Sequence, residues 1–135
     1  MFDTTCKQGY LRLVDQRNAD TLIPIIQQVA RPGSVIHSDE WAAYNALRNF
    51  PHPQPYRHYT VNHQHHYVDP VTHCTTNHVE AHWSRTKKIV KQQNGMKRTV
   101  IPTYLDQQMW YDRYRMDVSS GFLNLIVHIS QRYPL

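Results

Sequence analysis

From Gly9 to Asp15 (GYLRLVD) apolar and polar positions alternate, with Tyr10, Arg12 and Val14 on one side and Leu11, Leu13 and Asp15 on the other. A period of two predicts a strand. The period then lengthens. Leu22, Ile25, Ile26 and Val29 recur at i, i+3, i+4 and i+7, the core-facing stripe of an amphipathic helix, with Asn18 or Asp20 as its cap and Pro24 in or near its first turn. Arg31-Pro32-Gly33 ends that helix, and Ser34 to Ser38 (SVIHS) predicts a short buried strand that delivers Asp39 and Glu40 at its C-terminal end. Strand, helix, strand predicts a right-handed βαβ unit with a parallel pair.

WAAYNAL after Glu40 predicts a short helix, and Asn49 to Pro55 (NFPHPQP) is a Pro-punctuated loop. Tyr56 to Val61 (YRHYTV) predicts another strand. Asn62 to Thr76 is polar, His-rich and turn-prone around Asp69-Pro70, and its pattern supports no assignment. Thr75 or Thr76 can cap a helix running to about Gln93 and closed by Asn94-Gly95, with Val79, Trp83 and Val90 on its apolar stripe. Two further helices are predicted, Thr103 to about Met116 with Leu105 and Met109, and Gly121 to about Arg132 with Phe122, Leu125, Ile126 and Ile129. The last stripe can cover the chain's own sheet or form a dimerisation face, and the pattern does not choose. Trp41, Trp83 and Trp110 each have apolar neighbours at helical spacing, which favours core packing over base stacking.

Composition narrows the class. A chain of 135 residues with 40% apolar residues and only 4 Gly is expected to form one globular domain. It contains no apolar run of about 18 residues, and Met1 to Tyr10 has no basic flank leading into an apolar stretch. A soluble, intracellular protein with no membrane partner is expected, and two cysteines, Cys6 and Cys74, supply no disulfide framework. The formal charge of +5 is local: Arg85, Lys87, Lys88, Lys91, Lys97 and Arg98 lie between Ala81 and Leu105, where there is no acid. Such a cluster suits a polyanion, although a solvated helix face looks the same on charge alone.

Two carboxylates stand out. Asp39 ends an apolar strand, and in α/β folds the carboxyl ends of strands open onto the functional cleft. Glu80 lies on the helix after Thr76, and Lys87 follows it by seven residues, two turns on nearly the same face. A carboxylate beside a basic stripe fits phosphodiester chemistry, where a metal ion is held next to a polyanionic backbone. An ordinary exposed Glu among lysines has the same spacing.

Four ordered segments go further: HSDEWAAY (His37 to Tyr44), YTVNH (Tyr59 to His63), YVDP (Tyr67 to Pro70) and TNHVE (Thr76 to Glu80) with Trp83 and Lys87. From about Gly9 to Arg115 the chain resembles the ISXO2-like, IS1595-type transposase domain, a group that includes the eukaryotic Merlin elements. The resemblance implies an α/β, RNase H-like fold, a mixed sheet flanked by helices, in which acidic residues hold two Mg²⁺ or Mn²⁺ ions for DNA strand cleavage and strand transfer. Asp39 matches the second acidic position. Asn77 and Glu80 both match the third, and Glu80 is preferred because Lys87 resembles the lysine that contacts DNA after the last acid and because a carboxylate binds a hard cation better than an amide. The six basic residues are then the candidate DNA contacts, with transposon ends and target DNA as partners and a homo-oligomer possible.

The first acidic position has no match. It belongs to a strand upstream of a turn that Phe2 to Thr5 resembles; Asp3 falls in that turn and Asp15 on the next strand. The expectation is a partial domain over 1–135, lacking the first strand and the usual amino-terminal DNA-binding region, with 117–135 as a helical extension and with cleavage impaired. A non-catalytic DNA-binding or interaction protein derived from a transposase is the alternative. Location would be nuclear for a Merlin-like element and cytoplasmic or nucleoid-associated for a bacterial one. His63, His65, His66, His73, Cys74, His78 and His82 are dense but fit no common zinc spacing, and His63 and His73, which flank the Tyr67 to Pro70 loop, read as loop or surface histidines in preference to residues that touch DNA or orient a ligand.

Overall fold

A computed structural model describes residues 1–50, 55–65, 67–92, 95–115 and 117–134. Among them the chain is mixed α/β with small sheets and divides into two compact units, Val14–Ala81 and the combination of Met1–Leu13 with His82–Leu135. The sequence expectations at 51–54, His66, 93–94 and Met116 lie outside the described residues.

The first unit to consider is Val14–Ala81. Helix α1 (Ala19–Val29) begins at Asn18, whose side chain accepts from the Thr21 amide at 3.0 Å. Ile26 is buried, and Leu22, Ile25 and Val29 are half-buried beside it, the predicted stripe. Pro24 sits in the second turn, a step later than expected. The helix ends at Val29, where Ala30 turns extended, and Gly33 in the turn that follows takes a φ of +87°, a left-handed conformation natural to glycine. β3 (Val35–Asp39) follows, then a 3₁₀ helix (Ala42–Arg48), then β4 (Arg57–Val61). β3 and β4 are parallel and in register from Val35 opposite Arg57 to Asp39 opposite Val61.

This pairing corrects the predicted βαβ unit. The parallel pair is β3 with β4, crossing over through the 3₁₀ helix, and Tyr10 to Asp15 forms no strand. A strand exists only where a neighbour takes its amides. Here Met1 and Tyr10 exchange hydrogen bonds at the end of the short hairpin, and beyond them the Leu11 amide finds no strand and donates to Met109 Sδ. Only Gln8–Gly9 (β2) pairs, antiparallel to Phe2–Asp3 (β1).

Around the parallel pair, Leu47, Tyr56, Val61 and Cys74 are buried, and the Tyr56 hydroxyl donates to the Ala30 carbonyl. The described residues between Asn62 and Thr76 form a set of turns. Asp69 Oδ1 accepts from the amides of Val71 and Thr72 and from the Thr72 hydroxyl, and Val68 bridges Thr75.

Helix α2 (Asn77–Gln92) carries the chain from one unit into the other. Its inward positions are Val79, His82, Thr86 and Val90, whereas Trp83 is 46% exposed, so Trp83 is not the core residue its spacing predicts. The second unit joins the β1–β2 hairpin to α2 from His82 onward, to α3 (Ile101–Tyr114) and to α4 (Val118–Arg132). His82 is fully buried, bonded through Nε2 to Asp112 Oδ2, with the Phe2 ring 5.2 Å away. Gly9 presses so closely on the His82 ring that a Cβ there would overlap it. Asp117 caps α4 in a reciprocal capping box with Ser120. The predicted α4 stripe is solvent-exposed: Phe122 at 63%, Ile126 and Ile129 at 48%. None of the helices among the described residues is long and apolar enough to cross a membrane.

Candidate functional site

Parallel strands in register end at the same edge. β3 therefore delivers Asp39 beside Val61, and two residues beyond Val61 the chain presents His63. Asp39, Glu40, Trp41, Val61, Asn62, His63 and Gln64 line an open cleft of about 330 Å³ at that edge. Asp39 Oδ1 accepts from the Trp41 amide at 3.2 Å, which fixes one carboxylate oxygen against the following turn. Close by, the Arg17 guanidinium lies 4.7 Å from the Trp41 ring centroid. The Tyr44 hydroxyl is pushed above its ordinary range, first by burial and then by the Asp39 charge.

The start of α2 is tied to the same edge. The Thr75 amide donates to His37 Nδ1 on β3 at 3.4 Å, and the Cys74 thiol, raised by burial, accepts from the Ser38 backbone. Thr76 is buried. Its hydroxyl donates to Glu80 Oε1 at 2.6 Å, so its one proton is committed and the His63 Nε2 contact at 2.7 Å must be donated by the imidazole. His63 Nε2 is also 3.3 Å from Glu80 Oε1. One oxygen of Glu80 is thus held by two side chains, while the carboxylate as a whole remains 57% exposed.

His63 lines the cleft with Asp39 and lies 3.3 Å from Glu80 Oε1. Its contacts fit the ligand-orienting reading that its sequence position left open beside the surface one. The available signal was positional: a residue just past the end of a strand that pairs with the Asp39 strand. Thr76, expected only as a helix cap, also reaches Glu80. Asn77 opens α2 with its side chain exposed and its amide bonded to Thr75 Oγ1. Asp3 lies in the other unit, where its carboxylate is held below the usual range by the Thr5 and Cys6 amides of its own turn. Arg85, Lys87, Lys88, Lys91, Lys97 and Arg98 are all exposed.

Asp39 and Glu80 offer hard oxygen donors, the type Mg²⁺ and Mn²⁺ prefer, and Mg²⁺ commonly uses one or two carboxylates with substrate phosphate and water filling the rest. The donor chemistry fits a divalent cation in that mode. An all-protein cage is a different matter: among the described residues no three of His, Cys, Asp and Glu gather to hold a metal.

The ISXO2-like transposase domain family model matches residues 2–115. An uncharacterised transposase-like protein of Haemophilus influenzae is 25% identical over 101 residues, covering 75% of this chain and 77% of the relative. No solved structure matches.

Proposed function

Because the chain belongs to the ISXO2-like transposase domain family, we propose that it acts on DNA as a divalent-metal-dependent strand-cleavage and strand-transfer domain of RNase H-like fold. The observation that carries this reading is the family match over residues 2–115; Asp39, which lines the strand-edge cleft with His63, and Glu80, 3.3 Å from His63, support it as the carboxylates to test.

Asp39 and Glu80 are the residues to hold the cation, with Asn77 in reserve. A divalent ion held there polarises a phosphoryl oxygen and makes its bound water acidic. Thr76 and His63 fix the orientation of Glu80, and the Trp41 amide fixes that of Asp39. Exposed Lys87, Lys88 and Lys91 on α2, with Arg85, Lys97 and Arg98, supply the sequence-independent attraction for a phosphate backbone.

The domain is expected to nick DNA weakly, since among the described residues no third acid joins Asp39 and Glu80 to complete a two-metal arrangement. That favours a second reading, a DNA-binding protein without cleavage. Plasmid nicking with Mg²⁺ or Mn²⁺, run beside DNA binding, separates the two. Slow, metal-dependent nicking abolished by Asp39→Ala supports cleavage; binding with no nicking supports the second reading; no binding at all defeats both.

A further inference from the structure

The three tryptophans have different surroundings. Trp41 is half-buried against Tyr44 with the Arg17 guanidinium over its ring, and Trp110 is half-buried with its Nε1 donating to His128 Nδ1 at 2.9 Å. Trp83 is 46% exposed, and among the described residues its indole has no hydrogen-bond, aromatic or cation partner. The roll of α2 explains this. Within the unit that begins at His82, the inner face is taken by His82, bonded to Asp112, and by Thr86, whose hydroxyl donates to the His82 carbonyl. Trp83 stands about 100° round from His82, on the flank of that face. One exposed apolar ring is ordinary on a protein surface, so its neighbours decide what it means. Lys87 and Lys91 follow at i+4 and i+8, about 6 Å and about 12 Å along the axis and within an arc of about 80°. Both are exposed, as are Arg85 and Lys88 on the same helix, and no acid occurs between Ala81 and Leu105.

We propose that Trp83 is a stacking platform for an unpaired DNA base, with Lys87 and Lys91 holding phosphates of the same strand. Charge selects the occupant. An aromatic face followed by a row of ammonium groups matches the base and the phosphates of a single strand, and stacking tolerates any sequence because every base has a π-face. A base inside an intact duplex is already covered on both sides by its neighbours. The ring therefore takes a base freed at a strand end, a gap or an overhang. The proposal rests on the reading that the domain acts on DNA, and it adds which form of DNA this helix distinguishes. Stacking and phosphate contact also differ in their response to salt. A lost phosphate contact flattens the slope of log affinity against log salt, whereas a lost stacked base lowers affinity at every salt concentration and leaves the slope as it was.

Binding is measured without divalent metal, so that no strand is cut. Fluorescence anisotropy of the full chain with an oligodeoxythymidine of about 12 nucleotides is expected to show Trp83→Leu binding roughly 10-fold or more weaker, at an unchanged salt slope. Trp83→Phe is expected to keep most of the affinity, since leucine supplies bulk without a π-face and phenylalanine supplies both. Relaxed closed-circular plasmid, which offers no strand end, is expected to bind all three chains alike. Photo-cross-linking of the unsubstituted chain to the same oligonucleotide carrying 5-iododeoxyuridine reads the contact even if Trp83→Leu fails to fold, and mass spectrometry is expected to find the adduct on Trp83. Oligothymidine binding indifferent to Trp83→Leu, an equal loss on plasmid, a flatter salt slope, or an adduct only at other residues overturns the proposal and leaves the DNA reading standing. No binding to either DNA by the unsubstituted chain defeats both.

Discussion

The His63 imidazole lies 3.3 Å from Glu80 Oε1, so the carboxylate on α2 is oriented by a residue that follows β4. Helix and strand edge are coupled through one side chain. Partners that orient metal-binding carboxylates commonly contribute 10-fold or more to affinity. His63→Ala is therefore expected to weaken Mn²⁺ binding about 10-fold, while Glu80→Ala removes it, both measured by electron paramagnetic resonance with a short duplex present. Equal affinity in His63→Ala and the unsubstituted chain contradicts the orienting role.

Gly9 is fixed by the ring it touches. Gly9→Ala places a methyl where the buried His82 ring stands, an overpacking expected to cost about 2 kcal/mol or more. Thermal denaturation should show the loss. In the double variant Gly9→Ala with His82→Ala the cost of the methyl should shrink, because residues in contact do not add.

Basic residues on α2 are expected to act through salt. Lys87→Gln and Lys91→Gln should each lower the slope of log affinity against log salt by about 0.9 for a lost phosphate contact. Fluorescence anisotropy with two duplexes of unrelated sequence checks that both weaken alike. A loss confined to one duplex points to base reading instead.

Acid should loosen the parallel pair. Burial pushes the His58 imidazole below the usual histidine range, helped by the charges of Arg48 and His37. His58 Nε2 is 2.9 Å from Ser38 Oγ, and its Nδ1 is buried without a hydrogen-bond partner. With the folded pKa lowered, the unfolded chain takes the proton first, so this contribution to stability is whole above about pH 6.5 and is lost as pH falls below it. The melting temperature should drop from about pH 7.5 to about pH 5.5, and His58→Gln should remove part of that drop.

The elements legible in the sequence are those whose signals are local. Asn18, the stripe through Ile26 and the turn at Gly33 define α1 from neighbouring residues alone, and the run Ser34 to Ser38 places β3, although it is not the buried strand expected, since Val35 is 52% exposed. Gly9 to Asp15 alternates as a strand does, but strand formation depends on a partner, and its Leu11 amide meets a methionine sulfur from 98 residues away. Trp83 shares the helical period of Val79 and Val90, yet periodicity cannot say which edge of a stripe lies under other elements, and His82 and Thr86 took the inner face. Within the site, Asp39 and Glu80 stood out by position and charge. His63 did not, because its meaning lies in contacts to Thr76 and Glu80 across a set of turns that carries no hydrophobic period.

β3 and β4 are counted off from a common start, five residues each, Val35 opposite Arg57 through Asp39 opposite Val61. Side chains in strands alternate faces, so a slip of one residue would exchange the two faces of β4 and move Val61 from its place opposite Asp39. The cleft is then an arithmetic result of pairing, not a property of its residues one at a time. A molecule zipped one step out of phase would keep its helices and lose the proposed cation site, which would make metal affinity a measure of folding fidelity as much as of chemistry.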